Sequence, residues 1–177
     1  MFDGFLRVAA ATPDIRVADC SFNGASAAAL VSEAYEQGVS LLVLPELCLT
    51  GYTCSDLFLQ ESLLDGAEKA LVALTESTRD RNMVVLAGLP LTVNGVLYNV
   101  AAVLHGGEIL GFVPKSYLPT YSEFYEGRHY HSGADIETEV LFNGRKYPFG
   151  KKLLFRCRQM PAFTLGIEIC EDLWVAQ

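Results

Sequence analysis

Residues 83–114, MVVLAGLPLTVNGVLYNVAAVLHGGEILGFVP, decide the fold, because they consist of apolar runs separated by tight turn signals. The Asn-Gly pair at 94–95 is the strongest short-range indication of a two-residue β-hairpin. The sequence HGGE at 105–108 interrupts the next apolar run and predicts a second hairpin. Another Asn-Gly pair at 143–144 predicts a third hairpin. The second half of the chain is therefore expected to be built almost entirely from strands joined by hairpins.

The residues before this stretch indicate two βα units instead. Each unit is a short apolar run followed by a longer segment in which apolar side chains recur with helical spacing. Ser21 or Asn23 is a suitable N-cap for the first helix, and the run at 41–44 is apolar enough for a strand buried on both faces. The predicted elements outside the hairpins are strands at 5–11, 41–44, 83–89, 153–158 and 162–169 and helices at 21–37 and 62–81.

This order of elements predicts an α/β fold with a mixed sheet whose helices lie to one side. The second face of such a sheet could be buried against another sheet. A chain of 177 residues has room for one domain of ordinary size. A further helix is expected after residue 170, and because the chain stops at Gln177, we expect a domain that is incomplete at its C-terminus.

The composition argues against several classes of function. A formal net charge of −8 disfavours a nucleic-acid-binding surface, which needs an excess of Lys and Arg. The sequence shows no apolar stretch long enough to span a bilayer, and its N-terminus lacks the pattern of a secretory signal. Five cysteines without a CxxC pair indicate free thiols in a reducing cytoplasm rather than a disulfide framework.

Three reactive side chains each follow a predicted apolar strand. Glu46 lies in LVLPELCLTGY, Lys115 in GFVPKSYLPTYSEFYEGR and Cys170 in FTLGIEICEDLW. Open α/β sheets bind their ligands at the carboxyl ends of the strands. If the three strands are neighbours, we expect these side chains to meet in one crevice.

Together, these side chains could cleave an amide through a covalent intermediate. A thiol attacks as the thiolate, which a nearby Lys115 would favour, and Lys115 would also stabilise the oxyanion of the tetrahedral intermediate. Glu46 would take the thiol proton, pass it to the departing amine and then activate the water that cleaves the thioester. A turn into a helix at Cys170 would aim backbone N–H groups at the same oxyanion. We therefore predict Cys170 as the nucleophile, Glu46 as the general base and Lys115 as the oxyanion stabiliser.

Each residue alone has a plainer interpretation. A cysteine after a strand is most often a small buried hydrophobe, Glu46 could stand in a solvated loop, and Lys115 could be a surface lysine. The context that the three share favours the catalytic interpretation. His129 and His131 lack an identifiable third metal ligand, so we expect a solvated loop there. The aromatic side chains near Lys115 are expected to line a substrate pocket: Tyr117, Tyr121, Phe124, Tyr125 and Tyr130.

Three segments resemble the catalytic segments of the nitrilase superfamily: PELCLTGY at 45–52, PKSYLPTYSEFYEGR at 114–128 and EICEDLW at 168–174. Together with DLFLQESLL at 56–64, the second segment is similar, more narrowly, to the glutaminase domains of bacterial glutamine-dependent NAD+ synthetases. The resemblance covers nearly the whole chain. It implies a stacked α-β-β-α sandwich that hydrolyses glutamine to glutamate and ammonia.

The resemblance also implies roles for particular residues. Glu46, Lys115 and Cys170 would be the catalytic triad, Tyr121 would contact the glutamine, and Glu171 would hold its amino group. The resemblance implies no cofactor or metal for this domain. In complete family members, it implies a homo-oligomer whose synthetase domain uses ATP, Mg and the ammonia to convert deamido-NAD+ to NAD+.

Compared with that family pattern, we expect the given sequence to lack two parts: the synthetase domain and the last part of the amidase domain. Two alternatives to the glutaminase stay open. One is a free-standing nitrilase-type amidase acting on another small amide, and the other is a catalytically silent fragment. We also expect the isolated chain to self-associate and to be nearly inactive on glutamine, because an incomplete sandwich exposes strand edges and apolar surface.

Overall fold

A computed structural model describes residues 4–175 of the chain. In chain order, its elements are β1 (Val8–Ala10), α1 (Cys20–Glu36), β2 (Leu41–Val43), α2 (Glu61–Ser77), β3 (Val84–Val93), β4 (Val96–His105), β5 (Glu108–Pro114), α3 (Glu126–His129), β6 (Glu137–Phe142), β7 (Arg145–Gly150), β8 (Phe155–Arg156) and β9 (Thr164–Leu165). Short 3₁₀ turns lie at Ser55–Leu59 and Cys170–Leu173. Strands β1 to β7 form one sheet in the order β1-β2-β3-β4-β5-β7-β6, and β8 pairs with β9 in a separate hairpin.

The three hairpins that the turn signals predict are present. Asn94 and Gly95 have φ angles of +51° and +79°, as a type I′ turn requires, and they join β3 to β4. Gly106 and Gly107 also have positive φ angles and join β4 to β5. The Asn-Gly pair at 143–144 joins β6 to β7 in the same way as the first pair. The prediction of hairpin-linked strands in the second half is confirmed.

The strand directions bring the ends of β2 and β5 to the same edge of the sheet. β1, β2 and β3 run parallel, β4 is antiparallel to β3, and β5 is antiparallel to β4. Strand β5 therefore points in the same direction as β2. The segments that leave the sheet after these two strands carry Glu46 and Lys115, so both residues emerge at one end of the sheet.

Helices α1 and α2 pack on the sheet and on each other. They approach closely at Gly24, where an added Cβ would lie 3.1 Å from the Cβ of Ala70. The α2 stripe that the helical spacing predicts is buried: Leu63, Ala67, Ala70, Leu71 and Leu74. Burying one leucine side chain contributes about 1.5–3 kcal/mol, so this stripe is the main attachment of α2. No helix within residues 4–175 has the length and apolarity needed to cross a membrane.

Helix α1 begins one residue earlier than predicted and has a different cap. Its N-cap is Asp19, whose carboxylate accepts a backbone N–H at 3.0 Å. Asn23 is fully buried instead, and its side-chain amide donates to the carbonyl oxygens of Arg16 and Leu49. The prediction of Ser21 or Asn23 as the cap was therefore wrong. A polar residue that satisfies a neighbouring loop looks the same in sequence as a helix cap.

The sheet face away from the helices is only partly covered. The β8–β9 hairpin and its flanking loops cover one patch of it. In this patch, Leu41, Leu86 and Val103 of the sheet are packed against Phe155, Phe163, Leu165 and Ile167 of the covering segment. Val43 is 39% exposed, so the apolar run of β2 is not buried on both faces as predicted. The predicted strands at 153–158 and 162–169 shrink to two residues each. The mixed α/β sheet is confirmed, and its second layer within the described residues is this short hairpin.

Candidate active site

Lys115 lies at the centre of a buried ion cluster. It is the first residue after β5 and is fully buried, and its ammonium donates to Glu46 Oε1 at 2.7 Å and to Glu126 Oε1 at 2.6 Å. Its backbone is fixed as well. The Lys115 N–H donates to the Asn99 carbonyl at 2.9 Å, and the Lys115 carbonyl accepts from the Gly133 N–H at 2.8 Å. The ammonium is therefore held in one position between two carboxylates.

The carboxylates of this cluster keep Lys115 charged in spite of its burial. Burial alone would lower the pKa of the Lys115 ammonium, but the adjacent Glu46 and the hydrogen bonds to Glu126 and Glu46 outweigh it and raise the pKa. Burial raises the pKa of the Glu126 carboxyl, and hydrogen bonds from Lys115 and Tyr52 oppose that rise. Lys115 is therefore charged at neutral pH, and its loss would leave two carboxylates without a cation.

Glu46 reaches the cluster from the turn after β2. This turn lies directly on β3 at Gly88, where an added Cβ would be 2.3 Å from the Leu47 nitrogen and 2.8 Å from the Glu46 backbone. The side-chain amide of Asn99 on β4 donates to Glu46 Oε1, the oxygen that also accepts from Lys115. Within residues 4–175, the hydrogen bonds of this carboxylate all go to Oε1. Oε2 is thus the oxygen that can take a proton.

Cys170 lies near the same cluster. It opens the 3₁₀ turn Cys170–Leu173 with a φ angle of +51°, a left-handed conformation that is uncommon for a residue other than glycine. Its side chain is exposed, and Lys115, Glu46 and Glu126 all act on its thiol electrostatically. The three residues that the sequence singles out as a triad therefore lie together at one edge of the sheet.

The pKa of the Cys170 thiol is raised. Desolvation of the thiol is the largest cause, and although Lys115 lowers the pKa, Glu46 and Glu126 raise it. The sequence argument that Lys115 favours the thiolate holds for that residue alone. It is outweighed here by desolvation of the thiol first and then by the Glu46 and Glu126 carboxylates that accompany the lysine. The resting thiol is protonated at neutral pH, and thiolate formation requires a base.

The other four cysteines lie in different surroundings. Cys20, Cys48 and Cys54 are buried, and Cys157 is partly buried. Burial raises the pKa of the Cys20 and Cys48 thiols to about 11. The Cys48 thiol donates to the Gly88 carbonyl at 3.6 Å, so it is directed at the sheet. All five are free thiols, as the sequence predicts.

Tyr121 and Glu171, the two residues that the resemblance assigns to glutamine, contact each other. The Tyr121 hydroxyl donates to Glu171 Oε2 at 3.0 Å and so links the loop after Lys115 to the residue after the nucleophile. The aromatic residues of this loop divide into two groups. Tyr121 and Tyr125 are exposed, whereas Tyr130 belongs to the hydrophobic core. Of the five aromatic residues predicted to line a pocket, Tyr125 and Tyr130 line a cavity of about 520 Å³, together with Tyr52, Phe58, Glu126 and His129 among others.

Glu126 is the residue of this cluster that the sequence analysis missed. It opens α3, is 4% exposed, and accepts from the Tyr52 hydroxyl at 2.6 Å on the same oxygen that accepts from Lys115. Its other oxygen and the Tyr130 hydroxyl have no hydrogen-bond partner among the described residues. A sequence signal does exist: a lysine buried between strands needs acidic partners, and Glu126 is a nearby acid in an aromatic run.

His129 does not lie in a solvated loop, contrary to the sequence expectation. It is buried, with Nε2 at 3.1 Å from Asp56 Oδ1 and its ring against Phe58. The expectation failed because α3 turns this side chain toward the 3₁₀ turn Ser55–Leu59. His131 is exposed. Within residues 4–175, no group of three His, Cys, Asp or Glu side chains is arranged to hold a metal.

Comparison with known proteins shows what the sequence of this chain is similar to. The family model described as carbon-nitrogen hydrolase matches residues 7–177. The glutamine-dependent NAD(+) synthetase of Mycobacterium tuberculosis is 43% identical over 172 residues, which are 97% of this chain and 25% of that protein. The corresponding synthetase of Thermotoga maritima is 32% identical over 169 residues, 96% of this chain and 26% of that protein. The chain spans about a quarter of the length of these curated relatives.

Solved structures share the fold. A glutamine-dependent NAD(+) synthetase from Cytophaga hutchinsonii superposes with a TM-score of 0.86 at 32% identity, covering 94% of this chain and 28% of that one. A mutant of the Nesterenkonia AN1 amidase from the nitrilase superfamily superposes with a TM-score of 0.61 at 26% identity, covering 81% of this chain and 54% of that one. The nitrilase-like fold expected from the sequence is therefore confirmed.

Proposed function

This chain belongs to the carbon-nitrogen hydrolase family, and from that premise we propose that it hydrolyses the side-chain amide of glutamine to glutamate and ammonia. The observation that carries the proposal is the fully buried Lys115 ammonium, held by Glu46 and Glu126 next to the Cys170 thiol. The names of the relatives support glutamine as the substrate, since they are glutamine-dependent enzymes.

Cys170 is the proposed nucleophile, and Glu46 is the base that activates it. The raised pKa keeps the thiol protonated, so its proton must leave as the sulfur–carbon bond to the amide forms. Glu46 Oε2 takes that proton. When the tetrahedral intermediate collapses, Glu46 returns the proton to the nitrogen, the carbon–nitrogen bond breaks, and ammonia leaves. The product of this half-reaction is a thioester on Cys170.

Lys115 stabilises the negative oxygen of the tetrahedral intermediate. Its ammonium is already fixed and charged, so no reorganisation is needed when the oxyanion forms. Glu126 keeps the ammonium in place from the other side. In the second half-reaction, Glu46 removes a proton from the attacking water, glutamate leaves, and the Cys170 thiol forms again.

Tyr121 and Glu171 are the proposed contacts for the rest of the substrate. The Glu171 carboxylate carries the charge that an α-ammonium group needs, and the Tyr121 hydroxyl already donates to it. Both lie next to segments that carry catalytic groups. A substrate bound there would have its amide near Cys170, which directly precedes Glu171 in the chain.

We propose further that residues 1–177 act as the glutaminase domain of a longer protein. The ammonia would there serve the ATP-dependent conversion of deamido-NAD+ to NAD+ in a homo-oligomer. ATP, Mg and deamido-NAD+ would bind to the synthetase domain rather than to these residues. The names of the relatives support this step, and the chain covers about a quarter of their length.

The decisive test removes the nucleophile. In the complete protein, Cys170→Ala is expected to abolish glutamine-dependent NAD+ formation and leave synthesis from added ammonia intact, since the thiol only liberates ammonia. Cys157→Ala, a partly buried cysteine outside the cluster, is the matched control and should change neither activity. Loss of both activities in Cys170→Ala would contradict the proposal and give Cys170 a role in folding instead.

Thiol labelling tests the same assignment on this chain alone. A limiting dose of iodoacetamide, followed by peptide mapping, should label Cys170 before the other four thiols, because Cys170 is exposed, whereas Cys157 is partly buried and Cys20, Cys48 and Cys54 are buried. Preferential labelling of Cys48 or Cys157 would contradict it.

A second candidate function is amidase action on another small amide, which the structural likeness to the Nesterenkonia amidase favours. Ammonia release from glutamine and from simple aliphatic amides, measured side by side, separates the two.

A further inference from the structure

Asp172 is a buried carboxylate whose described partners are all backbone N–H groups. Its Oδ1 accepts from Ser116 at 3.0 Å and from Tyr117 at 2.8 Å. Its Oδ2 accepts from Ser116 and from Ile169, each at 3.3 Å. A carboxylate that is 5% exposed is costly unless its lone pairs are used, and here three donors use them.

The three donors belong to the two halves of the site. Ser116 and Tyr117 directly follow Lys115, and Ile169 directly precedes Cys170. One side chain therefore joins the main chain around the lysine to the main chain around the thiol. Among the described residues, the Asp172 side chain forms no hydrogen bond with the Cys170 thiol or the Lys115 ammonium.

The segment that carries the thiol has few other hydrogen bonds, and it is otherwise held by apolar packing of Ile167 and Ile169. Strand β9 ends at Leu165, and the hydrogen bonds that link residues 166–175 to the rest of the described chain come from the side chains of Asp172 and Glu171. The Glu171 bond goes to an exposed tyrosine. The lysine side, by contrast, is fixed by backbone bonds on both flanks of Lys115. Asp172 is thus the buried polar link between the segment around Cys170, which has few hydrogen bonds, and the segment around Lys115, which has several.

We propose that Asp172 is a positioning residue that sets the distance between the Cys170 thiol and the Lys115–Glu46 cluster. This inference rests on the proposed function in one respect, that Cys170 is the nucleophile. A displacement of the thiol by about 1 Å can cost on the order of a hundredfold in rate. Release of the segment would also remove the desolvation and the nearby carboxylate charges that raise the pKa of the thiol.

The test is Asp172→Asn in the 177-residue chain, because the amide keeps the shape but turns one acceptor into a donor that faces N–H groups. Cys170 should then react faster with iodoacetamide at neutral pH, and the pH midpoint of its labelling should fall toward that of an ordinary thiol. The thiolate fraction gains about tenfold for each pKa unit. Glutamine hydrolysis, measured with the same substitution in the complete protein because the isolated chain is expected to be nearly inactive, should fall by about a hundredfold, with little change in KM. Asp135→Asn, at an exposed position, should change neither quantity.

The buried cysteines separate positioning from unfolding. If Cys20, Cys48 and Cys54 stay unlabelled while the Cys170 profile moves, the fold is intact and the link is broken as proposed. An unchanged Cys170 profile in that folded variant overturns the proposal. If the buried cysteines also become labelled, amide hydrogen exchange in the unmodified chain decides. Ser116, Tyr117 and Ile169 should then be protected together, and an unprotected Ile169 amide overturns the proposal.

Failure of the proposed function gives a different result. If Cys170→Ala retained glutamine hydrolysis, the nucleophile assignment would fall. The protection of the three amides and the labelling shift in Asp172→Asn would be unaffected by that outcome. The two conclusions can therefore fail separately.

Discussion

Lys115 and Cys170 meet in one site, but the fold holds them in opposite ways. Lys115 leaves a central strand of the sheet, is fully buried, and has hydrogen bonds to its ammonium, its N–H and its carbonyl. Cys170 follows a two-residue strand, is exposed, and depends on side chains two positions or fewer away. The charge of the site is thus part of the core, whereas the thiol is carried by the least packed layer of the fold.

Because of this difference, substitutions in the two regions should affect different properties of the protein. Changes around Lys115 act on a buried ion cluster and should appear first as lost stability. Changes in the layer that carries Cys170 should leave the sheet folded and appear first as lost alignment. Substitutions of the same kind, made once in each region, can break or sharpen this comparison.

The largest expected effect is that of Lys115→Met. Methionine fills a similar volume but cannot donate, so Glu46 and Glu126 lose their shared cation in a buried place. Breaking a buried ion pair in this way costs about 3–5 kcal/mol, which urea unfolding at neutral pH would measure. The penalty should shrink as the pH falls, because burial raises the pKa of the Glu126 carboxyl, which then takes up a proton and no longer needs the cation.

The matched control for this prediction is Lys152→Met. Lys152 is largely exposed and lies 3.5 Å from Glu137, and such surface pairs contribute little to stability. Its unfolding midpoint should stay close to that of the unmodified chain. Equal losses for the two lysines would show that the ion cluster at Lys115 is not a stability centre, and the comparison would fail.

A smaller effect is expected from cavities made under each layer. Leu71→Ala removes a fully buried side chain between α2 and the sheet and should cost about 2–5 kcal/mol. Leu165→Ala removes a partly exposed side chain of β9 and should cost clearly less in the same urea measurement. Comparable losses would mean that the β8–β9 hairpin is as firmly packed as the helical layer.

The helical layer and the hairpins could be predicted from sequence because their signals are local. The Asn-Gly turns require positive φ angles wherever they occur, and the α2 stripe has its period written in the chain. The exposure of Val43 could not be predicted. Its apolar run shows that the strand can be buried, but burial on the second face depends on whether another layer lies over it.

The site divides along similar lines. Glu46, Lys115 and Cys170 were found because each follows an apolar strand, which is a local feature. Asn99 was missed although a polar residue in the apolar strand β4 is a signal, and Asp172 was missed because its partners are distant in sequence. The raised pKa of the thiol could not be foreseen either. It depends first on desolvation of the thiol in the fold and then on the two carboxylates around one lysine.

The smallest expected effects come from adding one methyl group in each region, as Gly88→Ala and Gly166→Ala. At Gly88, the new Cβ would lie 2.3 Å from the Leu47 nitrogen, so the backbone that carries Glu46 must move. Overpacking of this kind costs about 1–3 kcal/mol, and the shift of Glu46, the proposed base, should lower glutamine hydrolysis in the complete protein as well.

At Gly166, which lies between β9 and Cys170, the nearest atom to the new Cβ is Leu154 Cδ2 at 3.4 Å, an ordinary contact with a flexible side chain. Gly166→Ala should therefore keep its stability or gain about 0.4–1 kcal/mol, because alanine restricts the unfolded chain. Thermal unfolding of the two variants gives the stability difference, and ammonia release gives the effect on the site. If Gly166→Ala were the more damaging of the two, the segment before Cys170 would be the rigid one, and the contrast between the two regions would be reversed.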